Sequence, residues 1–486
     1  MNALTYTGTI KWGAHTAFCG KLRLHAVSTR KIIYMRYSIR GKFFLSCFIL
    51  INFLGRAQSN TDFVVYSQKE LLLQNARIVD VEKGTVLEGY SILIENGKIT
   101  RIDKRERLSV PKTITVVDMT GKTVMPGLVM LHEHMNYFSG QAVWDHHPVS
   151  FPKLFLAAGV TTLRTAGAEN PMYDLNLKRR IDNGKAIGPR MFVTGPMFND
   201  STGGFLGDFI ISNYKDARRA TAFWADMGCT SFKVYSDISR EALRGVVEEA
   251  HLRGLMVTGH LGKMSCTEAV NLGIDNIEHG FVSCSSELQF AFDSIWKINQ
   301  DDKRVHDLVD LLVKKAVVLT VTPFSDSDFS DTTTLEYLGL DERERIRDFI
   351  KNKPPFVPKE VNELQLRPLE KTFVRKGGKI VLGADAADFG VIPGFQNHNV
   401  LISMVKGGWS PLEVLKMATI DGARFLRVER ELGSIKVGKG ADLIVIAGKP
   451  DQRIEDIRNV EIVFRNGIGY NSKVLRDRVK GLVGRH

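Results

Sequence analysis

The pattern of apolar and polar residues divides the chain into three parts. The first and last parts carry short alternating runs, which predict β-strands. These runs are 73–79, 90–95, 98–103 and 115–118, and then 440–446 and 460–465. Asn96-Gly97, between two of the early runs, is a hairpin-turn signal. Neither segment has enough strands to be stable alone, so we expect residues 62–125 and 430–470 to form one composite β-sandwich.

The middle part, residues 126–429, alternates near-continuous apolar runs with helical patterns. Eight apolar runs are present, at 127–134, 160–165, 190–195, 230–235, 256–261, 276–281, 317–322 and 379–384. Helical patterns occur at 152–158, 218–226, 240–253, 266–271, 305–315, 364–376 and 411–427. Buried parallel strands have this continuous apolar character, and eight strand–helix units are typical of one barrel. The predicted fold class is α/β, a (β/α)8 TIM barrel with a small flanking β-sandwich built from both ends of the chain.

The net charge of +12 is unevenly distributed over the 486 residues. Residues 1–57 contain nine Lys or Arg and no Asp or Glu, which leaves 57 basic against 54 acidic residues in the rest of the chain. The body of the protein is therefore almost neutral, which argues against nucleic acid as a partner. We expect a small-molecule substrate instead, and a homo-oligomer is compatible with the sequence.

Residues 1–57 are predicted to be a leader. Met35 begins a basic stretch, an apolar run follows at 43–54, and small Ala57 precedes a polar segment. This order is typical of a secretory signal peptide. We expect residues 1–34 to be a mis-called extension, residues 35–57 to be the signal, and the mature protein to be periplasmic or secreted without a stable membrane span. The odd number of mature cysteines, without tight spacing, predicts no disulfide framework.

Polar residues suited to metal binding follow five of the eight predicted barrel strands. His132 and His134 alternate on one strand, so both imidazoles face the same side while Glu133 faces away. Lys233 lies in an apolar strand, where an ammonium is costly unless it is neutralised or paired. The remaining residues of this set are His260, His279 and Asp385. Because the functional face of such a barrel is formed by the carboxyl ends of its strands, we expect these side chains to converge on a zinc-type metal site.

Several motifs over residues 70–470 resemble the amidohydrolase superfamily of metal-dependent hydrolases. The resembling stretches are Met125-Pro126-Gly127-Leu128, His132-Glu133-His134, Phe232-Lys233, Gly259-His260, Ile277-Glu278-His279-Gly280, Gly383-Ala384-Asp385 and Gly440-Ala441-Asp442-Leu443. The chain looks closest to the branch of imidazolonepropionase-like and Xaa-Pro or Xaa-Arg dipeptidase-like proteins.

The resemblance implies a metal-binding enzyme with two divalent ions, zinc being favoured. It implies that His132 and His134 hold one ion, that His260 and His279 hold the second, and that a carboxylated Lys233 bridges them through its CO2-derived carbamate. Asp385 would contact the first ion and shuttle the proton. The implied reaction is hydrolysis of an amide-type C–N bond by a metal-bridging hydroxide, in a lactam, a cyclic imide, an N-acyl compound or a dipeptide.

The sequence departs from the family pattern at three positions. Met130 replaces an acid that usually precedes the first histidine, Thr165 replaces the Asp that usually follows Arg164, and Gly262 replaces a Tyr common in dipeptidase-like members. The last difference weakens the dipeptidase assignment in particular. Substrate contacts are predicted at Tyr235, Arg164 and His147.

Two alternatives remain open from the sequence. A mononuclear, deaminase-type member of the same barrel does not use a strand-four bridge, so Lys233 argues against it. A non-catalytic binding protein on this scaffold is the other alternative, and the complete set of predicted ligands argues against it.

Overall fold

The computed structural model describes residues 62–139, 144–200, 207–288, 298–323, 332–352, 363–387 and 390–484. The predicted leader, residues 1–57, lies outside the described residues. Within the described ranges, no helix has the length and apolar character needed to cross a membrane.

The strands and helices are numbered here in chain order. The strands are β1 (Val64–Tyr66), β2 (Glu70–Asp80), β3 (Thr85–Glu95), β4 (Lys98–Lys104), β5 (Thr115–Asp118), β6 (Thr123–Pro126), β7 (Leu128–Glu133), β8 (Asn136–Phe138), β9 (Trp144–His146), β10 (Val160–Thr165), β11 (Arg190–Phe192), β12 (Thr194–Asn199), β13 (Phe209–Ile210), β14 (Ser231–Val234), β15 (Met256–Gly259), β16 (Asn276–Glu278), β17 (Val318–Val321), β18 (Lys379–Leu382), β19 (Leu443–Ile446), β20 (Val460–Arg465) and β21 (Ile468–Asn471). The α-helices are α1 (Phe151–Ala157), α2 (Pro171–Asp182), α3 (Tyr214–Met227), α4 (Arg240–Leu252), α5 (Cys266–Leu272), α6 (Lys303–Lys314), α7 (Leu340–Lys351), α8 (Arg367–Arg375), α9 (Phe395–Lys406), α10 (Pro411–Lys416), α11 (Gly422–Phe425) and α12 (Ser472–Asp477).

The barrel is built from parallel strands in the predicted order. β7, β10 and β11 pair side by side, and β12, β14, β15, β16, β17 and β18 continue the series. Only Val193 separates β11 from β12, so together they form the third barrel strand. The Asp385 backbone NH donates to the His132 carbonyl at 2.9 Å, which joins the last strand to the first. A Cβ atom on Gly383 would lie 2.2 Å from His132 Cβ, so this close approach requires glycine.

Strands from both ends of the chain form one nine-stranded sheet beside the barrel. The junction is the antiparallel pair of β6 and β19, in which Leu443 lies opposite Pro126. Leu443 and Val445 pack into the core of this sheet, while Ile444 and Ile446 pack into the main core with the barrel. Full burial of such side chains contributes about 1.5–3 kcal/mol each. The predicted fold class, α/β with a (β/α)8 TIM barrel and a small flanking β-sandwich built from both ends of the chain, is therefore confirmed.

The helix predictions were less complete than the strand predictions. Helices α2, α7, α9 and α12 were not predicted, and the predicted helix at 411–427 is interrupted by a π-helical segment, Met417–Asp421. Helix α2 carries a start signal in its sequence, because the Asn170 side chain accepts a hydrogen bond from Met172 NH and Pro171 occupies the first turn.

The structure contains a disulfide, although the sequence predicted no disulfide framework. Cys266, at the start of α5, is bonded to Cys284, at the end of the 3-10 segment Gly280–Cys284. The two cysteines are 18 residues apart in sequence, so their spacing resembled no compact motif. Their proximity arises because β15 and β16 are adjacent parallel strands and each cysteine follows one of them. Cys229 remains a buried free thiol.

This disulfide should stabilise the part of the barrel that contains strands five and six. We expect the double variant Cys266→Ser, Cys284→Ser to lose about 2–4 kcal/mol of unfolding free energy, because a cross-link restricts the unfolded chain. Denaturant unfolding measures the loss. Cys229→Ala under the same oxidising conditions is the control, because it removes a cysteine without removing a cross-link. Separate alkylation of Cys266 and Cys284 in the untreated protein would contradict the assignment.

Candidate metal centre

The six predicted ligands all lie at the carboxyl ends of barrel strands. They are His132 in β7 and His134 just after it, Lys233 in β14, His260 after β15, His279 after β16 and Asp385 after β18. Parallel strands share one carboxyl edge, so the fold places these side chains at the same mouth of the barrel.

Three of these residues form a group with metal-binding geometry. One ligand atom from each of His132, His134 and Asp385 lies within 4.8 Å of the others. Asp385 Oδ1 is 3.4 Å from His132 Nε2 and 3.1 Å from His134 Nε2. Two imidazole nitrogens and a carboxylate oxygen are ligands that zinc accepts.

The other two histidines continue the cluster on the far side of His132. The His279 ring centroid is 4.7 Å from that of His132 and 4.4 Å from that of His260. His279 Nδ1 lies 3.8 Å from Asp385 Oδ2 and 2.8 Å from Thr322 Oγ1. The Asp385 carboxylate therefore lies within 4 Å of three of the histidines, His132, His134 and His279.

Two of the site residues have backbone conformations that non-glycine residues seldom adopt. His279 has φ of 60° and Asp385 has φ of 50°. Such left-handed conformations cost about 1–3 kcal/mol each and cluster at functional sites. At both positions the chain leaves a barrel strand, and the unusual turn directs the side chain toward the cluster.

His132 is oriented by a buried carboxylate behind it. Its Nδ1 lies 2.8 Å from Glu278 Oε2, and Glu278 is completely buried. This contact leaves Nε2 as the nitrogen that faces Asp385. Carboxylates behind metal-ligating histidines fix the ring and increase its basicity.

Glu278 is in turn held by Arg164 inside the barrel. Arg164 Nη2 lies 2.5 Å from Glu278 Oε1, and both side chains are at most 1% exposed. The same guanidinium donates to the Leu131 carbonyl and, at 3.2 Å, to Asn276 Oδ1. Thr258 also donates to Glu278 Oε1. Arg164 was predicted to contact substrate; the structure shows it buried among protein acceptors, and the substrate contact stays a prediction.

Two imidazoles and the carboxylate of the cluster have the electrostatics expected of metal ligands. Burial and the Lys233 charge lower the pKa of His260 to about 3, and burial with the neighbouring imidazoles holds the pKa of His279 well below its usual range. Despite burial, His132 and His134 hold the pKa of Asp385 well below its usual value. Burial lowers the pKa of His132, but the charges of Asp385 and Glu278 and the hydrogen bond with Asp385 together raise it above its usual value.

Lys233 is 1% exposed, and burial lowers the pKa of its amine. The charged groups that act on it are Glu278, Asp385 and Arg164. Its charge in turn lowers the pKa of His132, His260 and His279. The Lys233 amine thus lies among the histidines and the carboxylates of the cluster.

Glu133 supports the site from the opposite side of β7. Its Oε1 accepts hydrogen bonds from the Ala384 NH at 3.0 Å and from Asn397 Nδ2 at 2.8 Å. Ala384 is adjacent to Asp385, so Glu133 helps to fix the position of that carboxylate. Burial raises the pKa of Glu133 well above its usual value.

The other predicted substrate contacts have different surroundings. Tyr235 is partly exposed, and its ring centroid is 4.9 Å from that of His260, so it lies beside the cluster. His147 is 8% exposed, stacks on Phe151 at 4.9 Å and accepts a hydrogen bond from the Gly484 NH at 3.3 Å. This packing against the C-terminal segment differs from the predicted contact with substrate.

The donor set fits divalent metal. Histidine nitrogens and a carboxylate oxygen converge at bonding range, and Glu278 and Thr322 hold the remaining nitrogens of two of these rings. Sequence reasoning missed Glu278, Asn276 and Thr322. Glu278 did carry a signal, since a carboxylate inside an otherwise apolar strand must be paired.

Residues 123–468 match the Amidohydrolase family. The chain is 24% identical over 413 residues to a dihydroorotase from Aquifex aeolicus (strain VF5). The alignment covers 77% of this chain and 89% of that enzyme. It is 22% identical over 383 residues to adenine deaminase 3 from Rhizobium meliloti (strain 1021), with 77% of this chain covered. The match spans 54% of the deaminase, so the chain spans about half the length of that relative.

Among solved structures, an Xaa-Pro dipeptidase with methionine bound in its active site has the same fold. The TM-score is 0.63 at 22% sequence identity, and the match covers 83% of this chain and 100% of the dipeptidase chain. At this identity the likeness shows the fold alone. Because the family match covers more than half of the chain, the protein belongs to the amidohydrolase family and is a hydrolase that acts on carbon–nitrogen bonds.

Proposed function

We propose that the protein is a binuclear metallohydrolase that cleaves an amide-type C–N bond, as in a lactam, a cyclic imide, an N-acyl compound or a dipeptide. The observation that carries this proposal is the convergence of His132, His134 and Asp385 next to the His260 and His279 rings. Zinc is the favoured ion for these ligand types. Bound divalent ions would lower the pKa of a water and polarise the scissile carbonyl.

Asp385 performs the proton transfers in this proposal. The neighbouring histidines keep its carboxylate ionised, so it accepts the proton of the attacking water. It then delivers that proton to the leaving nitrogen, which departs as a neutral amine. Tyr235, beside His260, is the candidate for a hydrogen bond that orients the substrate carbonyl.

Lys233 is assigned as a carboxylated ligand. A bare ammonium at this buried position would repel divalent ions. Reaction of the amine with CO2 gives a carbamate, which is anionic and offers two oxygens, one for each ion. The proposed first ion would be held by His132, His134 and Asp385, and the second by His260 and His279, with Lys233 shared.

The proposal is tested by a hydrolysis screen. We expect the zinc-loaded protein to hydrolyse at least one member of a panel of N-acyl amino acids, dipeptides, lactams and cyclic ureides. Removal of metal with a chelator should abolish that activity and added zinc should restore it, because the nucleophile of the proposed reaction is a water activated by the metal. Activity that survives complete chelation would refute the metal-dependent mechanism, and a metal-loaded protein inactive on all four classes would favour the non-catalytic alternative.

Substitution of Lys233 tests the bridge. We expect Lys233→Ala to abolish turnover and to reduce bound metal from about two ions per chain to one or less, as measured by elemental analysis. Short carboxylic acids should restore part of the activity by occupying the vacated position, whereas Lys233→Arg should not, because guanidinium stays charged and offers no ligand. Lys439→Ala is the matched control, since Lys439 is a buried lysine paired with Ser434 outside the cluster.

Metal counts also separate the remaining alternative. One ion per chain in the unmodified protein would favour the mononuclear, deaminase-type enzyme. Two ions and near-full turnover in Lys233→Ala would refute the bridging role.

Glu278 should be required for metal affinity as well as for stability. We expect Glu278→Gln to weaken metal binding by about 10–100-fold, because His132 loses the carboxylate that orients it. Removing one partner of a buried ion pair should also cost about 3–5 kcal/mol of unfolding free energy. Metal titration and denaturant unfolding measure the two effects.

A second buried ion pair supplies the control for Glu278. Glu370 and Arg367 are each about 2% exposed and lie 2.7 Å apart, outside the cluster. Glu370→Gln should therefore destabilise the fold while leaving metal affinity unchanged. Equal loss of metal affinity in both variants would show that Glu278 acts through stability alone.

A further inference from the structure

An acidic cavity opens at the same end of the barrel as the metal cluster. Its volume is about 230 Å³, several times the ~30 Å³ of one liquid water. It lies between the hairpin β8–β9, which follows the first barrel strand, and the segment that follows the second barrel strand. Its described lining residues are Asn136, Trp144, Asp145, His146, Ala168, Glu169, Asn170, Tyr173 and Asp174, and none of these is Lys or Arg.

Asp174 carries a buried carboxylate, and the described residues provide a partner for only one of its two oxygens. The side chain is 2% exposed, and its Oδ1 lies 3.1 Å from His146 Nε2. Its Oδ2 is buried and has no hydrogen-bond partner among the described residues. An unpaired carboxylate oxygen at such a depth costs free energy, so Asp174 favours a ligand that brings a donor and positive charge.

A second carboxylate lines the same cavity. Glu169 Oε1 accepts a hydrogen bond from Asn136 Nδ2 at 3.0 Å. Burial, together with the nearby Asp174 charge, raises the pKa of Glu169 to about 7. A cation placed between the two carboxylates would relieve their repulsion and favour ionised Glu169.

The shape and the wall of the cavity distinguish an organic cation from a metal ion. Among the described residues, the group of metal-type ligand atoms that converges within 4.8 Å is His132, His134 and Asp385, and none of the cavity residues belongs to it. Two aromatic residues, Trp144 and Tyr173, line the cavity, and Tyr173 packs against His146 with ring centroids 5.2 Å apart. Aromatic faces attract amine and guanidinium groups.

We propose that this cavity is a subsite for a positively charged organic group, an amine or a guanidinium, carried by the substrate. The proposal rests on the proposed hydrolase function, because it assigns the cavity to the substrate of the metal cluster. The connection between the two sites is short in sequence, since Asn136 is two residues beyond His134. A substrate whose amide bond lies at the cluster would extend its charged group toward Asp174.

Direct binding tests the subsite without turnover. Calorimetric titration of the full protein with n-butylguanidinium and n-butylammonium should give saturable binding, whereas neutral n-butylurea should not bind. Asp174→Asn should weaken cation binding at least tenfold, and Glu169→Gln should weaken it as well. Asp182→Asn, the same change at the other end of α2 on a more exposed aspartate, should leave binding unchanged.

The outcomes distinguish this proposal from the proposed function. Equal binding of butylurea, or cation binding unaffected in both Asp174→Asn and Glu169→Gln, would overturn the subsite. If Asp174→Asn fails to fold, the binding of n-butylguanidinium to Glu169→Gln tests the subsite instead. Another outcome is a protein that hydrolyses dipeptides without binding alkylguanidinium. If it then prefers neither Gly-Arg over Gly-citrulline nor Arg-Gly over citrulline-Gly, the subsite is refuted and the hydrolase function stands. Cation binding in a protein without any hydrolase activity would refute the function and the substrate role of the cavity together.

Discussion

The ion pair of Arg164 and Glu278 inside the barrel is the interaction on which the metal cluster depends. Two opposite charges at most 1% exposed are tolerated only because each has further partners, the Leu131 carbonyl and Asn276 for the guanidinium, and His132 and Thr258 for the carboxylate. The pair spans the barrel from its second strand to its sixth. Through Glu278, the packing of the barrel interior therefore helps to orient His132 on the first strand.

The barrel and the cluster also constrain each other at the point of closure. The last strand approaches the first so closely that Gly383 has no room for a side chain against His132. Immediately afterwards Asp385 adopts a left-handed conformation, its NH bonds to the His132 carbonyl, and Glu133 holds the preceding NH of Ala384. The bond that closes the barrel therefore also positions the proposed proton carrier, and the disulfide after strands five and six anchors the segments that follow His260 and His279.

The sequence contained enough information to predict the barrel and to propose six ligand positions at the carboxyl ends of its strands, because both depend on local patterns. The ligand roles themselves stay predictions. Continuous apolar runs identify buried parallel strands, and a histidine or carboxylate at the end of such a run is conspicuous. The support around the ligands was harder to predict because it depends on neighbours across the barrel. Arg164 and Glu278 are 114 residues apart, and nothing in either segment specifies the other. The same reason explains the missed disulfide. The missed helix α2 is different, since Asn170 and Pro171 gave a local start signal that was not used.

Charge balance connects the cluster with the rest of the barrel mouth. At the cluster, burial favours the neutral imidazoles of His260 and His279. Asp385 is ionised despite its burial, because His132 and His134 lower the pKa of its carboxyl. In the acidic cavity the pairing is incomplete, because Asp174 has one imidazole partner and Glu169 has an amide. A protein whose body is nearly neutral thus concentrates unbalanced negative charge at one end of its barrel. Surface ion pairs elsewhere are exposed and individually weak. A buried ion pair also occurs away from the cluster, between Arg367 and Glu370, but there the carboxylate is neutralised by a cation of the protein itself. At the cluster and in the acidic cavity, carboxylates instead lie where a bound cation can neutralise them.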